Sequence, residues 1–351
     1  MTGLSSAGLS SAGLSTAGLS TAGLNAAGPD AVGLIATVLQ VVLVVVGAPL
    51  LTGLMRQVRA RMEGRAGAGV LQPWRDLRKL LRKEPIDPRG TGWPFRLAPL
   101  VLAGTALVVA AVVPLVTTAS PLDSAADLFA VTALLALGSV ALALGGLDTG
   151  TAFGGMGASR EVTVLALVEP TILVSVFALS VRAGSTNLGT IVGLTEADPM
   201  RVLSPASLLA AVALALVTIA ETGRIPVDNP STHLELTMIH EAMVLEYSGP
   251  DLALIEWASA ARLTVLLGLL GSLFLPWGVA TGGAADMGAL VAVLVGVAAF
   301  AAKTAVLGML LAAGEVFMAK LRLFRIPELL AGSFLLALLA VAASYFLAGG
   351  A

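Results

Sequence analysis

The chain has 351 residues, of which 57% are hydrophobic and 12% charged, with a formal net charge of −2. Average soluble domains carry about 25% charged residues, so a soluble globule is excluded and a polytopic membrane protein is expected. No cysteine is present, which removes thiolate-held iron–sulfur clusters, disulfides and thiol nucleophiles. Two histidines leave little material for a metal site, and no metal ligands are assigned.

Residues 3–27 repeat every five residues as GLSSA, GLSSA, GLSTA, GLSTA and GLNAA. A period of five turns successive leucines through about 140° on a helix, so they form no single face. Residues 1–30 therefore read as a low-complexity tail, and 31–351 as one membrane domain.

Crossing the hydrocarbon takes about 20 helical residues, and eight apolar runs approach or reach that length. They are Ala31–Leu54, Leu97–Thr117, Leu128–Leu147, Val162–Val181, Ala206–Ala220, Leu263–Thr281, Met287–Ala313 and Leu329–Leu347. Backbone polar groups in lipid need internal partners, so an all-α fold with about eight transmembrane helices is expected. Alternation of sides puts seventeen of the twenty Lys and Arg residues into segments 55–96, 148–161, 221–262 and 314–328. The positive-inside rule makes that side cytoplasmic and both termini external. The two large cytoplasmic loops are expected to carry short helices.

Segment 55–96 holds eleven bases against four acids. Pro73 suits the first turn of a short helix. Trp74, Leu77, Leu80 and Leu81 gather on one face, while Arg75, Arg78, Lys79 and Arg82 cover much of the rest. Such a helix lies in the headgroup layer or beneath a docked partner. Ordinary positive-inside anchoring explains it as well as a docking surface does. No strand precedes its Gly-x-Gly, so nucleotide binding is not inferred, and nothing in the chain points to nucleic acid.

Residues 221–256 hold seven acids, both histidines and a single base, Arg224. Pro226 and Pro230 mark a turn. Ser231 or Thr232 is expected to cap a helix running to about Tyr247 and ended by Gly249-Pro250. His233 and His240 would then lie about 10 Å apart along the axis, too far to share one metal. His240-Glu241 lacks the second histidine of an HExxH site. The histidines read as hydrogen-bonded polar groups or as proton relays.

Ionisable residues inside spans face protein or a wet cavity. Glu169, followed by Pro170, lies within the fourth span, with Glu161 about 12 Å below it. Glu221 ends the fifth span and Lys303 interrupts the seventh. Glu161, Glu169, Glu221 and Lys303 are the candidate proton path; the alternative is interfacial acids plus one structural Lys303–carboxylate pair. Asp148 and Glu315, at span ends, favour the structural reading.

The stretch ETGRIPVDNPSTHLELTMIHEAMVLEYSG resembles the signature of the membrane subunit of energy-converting [NiFe] hydrogenases, the formate hydrogenlyase subunit 4 type of the complex I subunit 1 family. The quinone-reducing branch typically has E-T-N-R-x-P-F-D; here Gly223 and Val227 replace its Asn and Phe, and the residues that follow match the hydrogenase branch. The first loop is similar to R-R-G-P…Q-P…D-x-x-K-L…K-E through Arg65, Gly67, Gln72, Pro73, Asp76, Lys79, Leu80, Lys83 and Glu84, and departs from it at Gly64 and Ala68.

The resemblance implies a membrane anchor whose redox-arm junction comprises Arg224, Asp228, His233, Glu235, His240, Glu241 and Glu246. Its docking loop would include Arg65, Gln72, Asp76, Lys79 and Lys83. Implied partners are hydrogenase-like large and small subunits, an iron–sulfur protein and antiporter-like membrane subunits. The Ni–Fe site and iron–sulfur clusters would reside in those partners, with no cofactor in this chain. The expectation is a proton-translocating subunit in the cell inner membrane without catalytic activity of its own. Alternatives are a quinone-site subunit of a complex I-like NADH dehydrogenase and, from another class, an independent ion transporter.

Overall fold

The computed structural model describes residues 29–228, 239–280, 287–318 and 325–349. Among them are eleven α-helices and no strands: α1 Pro29–Met62, α2 Gln72–Leu80, α3 Trp93–Val112, α4 Leu128–Asp148, α5 Ala152–Ala183, α6 Leu188–Ala197, α7 Pro205–Glu221, α8 His240–Val244, α9 Gly249–Phe274, α10 Met287–Phe317 and α11 Ile326–Gly349. Seven are long and apolar enough to cross a membrane, and the 17-residue α7 is the shorter apolar helix at the fifth expected span. The protein is an all-helical, multi-pass membrane protein.

Central α9 packs against α1, α3, α7 and α10, while α11 covers α5 and α7. Small residues let these helices approach. A Cβ added at Gly145 would meet Ala98 Cβ at 2.9 Å, and one at Gly268 would meet Phe300 Cε2 at 2.6 Å. Close backbone contact of this kind supplies the dispersion energy that lipid does not.

Breaks in the helical ladder are closed by side chains from elsewhere. Pro49 inside α1 removes the amide that would bond Val45. Trp257 Nε1 donates to that carbonyl instead at 3.1 Å, and Trp74 Nε1 donates to Val46 O at 3.2 Å. Where Pro114 stops α3, buried Gln40 of α1 donates to Ala110 O (2.7 Å) and Val113 O (2.8 Å). Its carbonyl accepts from the amides of Leu115 (3.2 Å) and Val116 (3.0 Å). Asp148, at the end of α4, accepts from the Gly92 and Phe95 amides at the start of α3 (2.6 and 3.3 Å), a structural role.

Two expectations are corrected. Gly249-Pro250 opens α9 rather than ending a helix, because Pro is well accommodated in a first turn where its missing N–H has no helical partner. The sixth span accordingly begins fourteen residues earlier than Leu263, and Arg262 lies inside it rather than in a cytoplasmic segment. Among the described residues before Tyr247, the expected long helix is only the five-residue α8; Ser231 and Thr232 lie outside the described residues.

Replacing Gln40 by Leu would strand two carbonyls and two amides in the interior. We expect a stability loss of more than about 2 kcal/mol, read as a lower Tm of the purified protein in detergent; an unchanged Tm would contradict this.

Candidate functional site

The ETGRIPVD stretch is built around the end of α7. Gly223, at φ +57°, occupies the left-handed position just past the helix. The Arg224 amide bonds Ile219 O (3.0 Å) and the Gly223 amide bonds Ala220 O (3.1 Å), the Schellman arrangement. Glycine and asparagine are the residues that adopt this conformation most readily, which suits Gly223 to the position. The chain then turns so that buried Asp228 accepts the amides of Ile239 and His240, both at 3.2 Å.

The short helix α8 sits on glycines of α4 and α5. A Cβ at Gly157 would lie 2.9 Å from Ala242 Cβ, and one at Gly146 would lie 3.1 Å from Met243 Cβ. Gly157 and Glu161 are four residues apart on one helical face. Seating α8 on Gly157 therefore brings His240 Nδ1 to 3.4 Å from Glu161 Oε2.

Deeper in, Glu221 of α7 is ion-paired with Arg262 of α9, both almost fully buried. Ser139 of α4 donates to the same carboxylate at 3.4 Å, and Arg262 also donates to Leu135 O at 3.0 Å. Glu221 lies within electrostatic reach of Glu161 and His240, and Glu169 within reach of Glu221 and Arg262. Glu169 Oε1 is buried with no hydrogen-bond partner. Two contacts, His240–Glu161 and Glu221–Arg262, thus lie within electrostatic reach of each other and of Glu169.

Lys303 does not join them. It is half-buried on α10, and its electrostatic partner is Glu196 of α6. Glu315, expected at an interface, is buried and holds two cations: Arg224 at 3.5 Å and Arg59 at 3.7 Å. Burial pulls the Arg224 pKa down, and Glu315 opposes that shift.

A cavity of ≈730 Å³ is lined by residues of both charged segments. Its charged and titratable lining comprises Arg56, Arg59, Arg65 and Arg224 together with Asp228, His240, Glu241 and Glu256. Of the expected docking-loop residues, Gln72 donates to Asp76 (2.9 Å), Asp76 faces Arg56 at 4.0 Å, and Lys79 and Lys83 are exposed. The guanidinium of Arg65, followed by that of Arg59, holds the Glu63 carboxyl below the usual range. Glu246 is half-buried beyond α8; His233 and Glu235 lie outside the described residues. No group of three His, Cys, Asp or Glu suited to a metal ion occurs among the described residues.

Tyr247, Ser248 and Gly249 tie this segment to the first loop. The Tyr247 ring stacks on Phe95 at 4.1 Å, and its hydroxyl donates to Phe95 O at 2.9 Å. Burial pushes that phenol well above its ordinary pKa, so it remains a donor. Ser248 Oγ accepts the Ile86 amide at 2.9 Å.

Comparison with known proteins places these features in a family. A family model described as NADH dehydrogenase matches residues 34–346. Formate hydrogenlyase subunit 4 of Escherichia coli (strain K12) is 38% identical over 231 residues, 66% of this chain and 74% of that protein. Hydrogenase-4 component C of the same organism is 40% identical over 240 residues, covering 68% and 74%. An NADH-quinone oxidoreductase subunit of Thermomicrobium roseum (strain ATCC 27502 / DSM 5159 / P-2) is 33% identical over 250 residues, covering 64% and 72%. In fold, the chain matches one from the membrane-bound sulfane sulfur reductase, an archaeal respiratory membrane complex. That match has a TM-score of 0.76 and 19% identity, and covers 88% of this chain and 98% of the other.

A Gly157→Val substitution should push α8 off α5 and separate His240 from Glu161. Overpacking of this kind costs about 1–3 kcal/mol. The expected readouts are a lower Tm and loss of the His240–Glu161 contact in the variant's structure; an unshifted α8 would refute the seating role.

Proposed function

From the premise that the chain belongs to the NADH dehydrogenase family, as a membrane subunit of the formate hydrogenlyase subunit 4 and complex I type, we propose that it anchors the redox arm of a hydrogenase-type complex and carries protons for it. The observation that carries this reading is the group of ionisable side chains His240, Glu161, Glu221 and Glu169, within electrostatic reach of one another and open at His240 onto the cavity. Charges this deep in a membrane helix are costly and are kept where ions or protons move.

Partners of the hydrogenase-like large and small subunit kind, with an iron–sulfur protein, would cover the cavity and the basic first loop. Their nickel–iron site and clusters supply the redox chemistry. Antiporter-like membrane subunits would lie alongside in the cell inner membrane, with both termini of this chain outside.

In this chain, Asp228 fixes the start of α8 and so orients His240. Glu315 holds Arg224 beside the cavity wall. A charge change in the arm would act on this wall first, altering the proton affinity of Glu241 and His240. His240 would pass a proton to Glu161, 3.4 Å away. From there Glu221 is the next acid within electrostatic reach.

A second reading, quinone binding, is favoured by the ≈730 Å³ cavity, a size that suits a small organic ligand. Quinone-dependent electron uptake by the purified complex would support it.

For the leading reading, Glu221→Gln in the assembled complex should reduce coupled proton transfer at least about tenfold while co-purification of the partners persists. The measurement is proton uptake in proteoliposomes, and unaltered coupling would overturn the assignment.

A further inference from the structure

We propose that Arg262 is a shared counter-ion, paired with Glu221 in this state and turning to Glu169 when Glu221 takes up a proton. The inference rests on the proton-carrying reading above and adds the element that couples the two carboxyls.

Arg262 is the fourteenth residue of the 26-residue helix α9 and is 6% exposed. A guanidinium has five N–H donors. Here it donates to Glu221 and to the Leu135 carbonyl at 3.0 Å, leaving donor capacity for another acceptor. Glu169 Oε1 is a buried carboxylate oxygen with no hydrogen-bond partner, within electrostatic reach of both Arg262 and Glu221. A buried polar atom without a partner is costly, and a second position of the guanidinium would remove that cost.

No second arginine or lysine acts on Glu221 among the described residues. Glu161 of α5 and His240 of α8 are the further charged or titratable groups acting on Glu221. Ser139 of α4 donates to Glu221 at 3.4 Å, and Thr105 of α3 faces Gly138. One guanidinium therefore serves two carboxyls, and the carboxyl without it is expected to hold a proton.

The step balances in protons alone. A proton delivered from Glu161 neutralises the Glu221 carboxylate and releases Arg262. The guanidinium then stabilises the ionised form of Glu169, whose O–H bond breaks and whose proton passes to water. Return of Arg262 to Glu221 requires Glu221 to lose its proton and Glu169 to regain one. Protons thus pass one at a time.

Infrared difference spectroscopy of the intact complex tests this through the protonated-carboxyl stretch, with Glu169→Gln identifying the Glu169 band. That band should be present in the native complex, lost in Glu221→Gln, and restored in the double variant Glu221→Gln/Arg262→Met. An unchanged Glu169 band in Glu221→Gln overturns the proposal. Should the Glu221 variants fail to assemble, difference spectra recorded on triggering turnover of the native complex decide. Loss of the Glu169 band as a second carboxyl band appears supports the proposal, and a Glu169 band that is unchanged or grows overturns it. The outcomes separate from the underlying reading. Proton transfer with a fixed Arg262 removes only the shared counter-ion, whereas band exchange in a complex that moves no protons removes the proton-carrying reading.

Discussion

In the membrane interior, a charge is tolerable only where the chain supplies its opposite, and the Arg262–Glu221 pair is where this protein meets that requirement most fully. The two residues come from α9 and α7, and α4 contributes the Ser139 hydroxyl and the Leu135 carbonyl. Three helices are thus joined by one ion pair. Breaking such a pair by removing one partner typically costs about 3–5 kcal/mol, because the survivor is left charged and unpaired. The same requirement recurs without charge at Gln40, which completes the broken end of α3, and at Trp257, which serves the carbonyl orphaned by Pro49. The polar contacts among these helices are therefore few, buried and specific.

The ETGRIPVD and EYSG stretches divide into separate physical tasks. Gly223 turns the chain out of α7, leaving Glu221 facing inward and Arg224 facing Glu315. Asp228 collects the two amides that begin α8. Tyr247 and Ser248 fasten the segment to Phe95 and Ile86. The two oppositely charged segments are thereby tied together beside the cavity. Glu315, from a third helix, bonds to an arginine of each.

Glycine packing then links scaffold to chemistry. Gly157 and Gly146 make a seat for α8, and that seat together with the Asp228 cap puts His240 beside Glu161. A larger residue at either position would move an imidazole that lines the cavity and contacts Glu161. The structural glycines of α4 and α5 are in this sense as important to the site as its ionisable residues.

The sequence by itself determined the class, the helical spans and the strong asymmetry of positive charge. Hydropathy is summed along the chain, and lipid leaves an apolar run one stable form, the helix. It also singled out Glu161, Glu169, Glu221 and Lys303 as candidate ionisable groups in or beside the spans. Tertiary structure alone decided which of these meet. Arg262 was legible only as a lone base at the edge of an apolar run, because the start of α9 at Gly249-Pro250 reads equally as a stop. Lys303, similarly placed within an apolar run, faces Glu196 instead of those acids. Ion pairing depends on the rotation and register of helices far apart in sequence, which packing fixes and local composition does not.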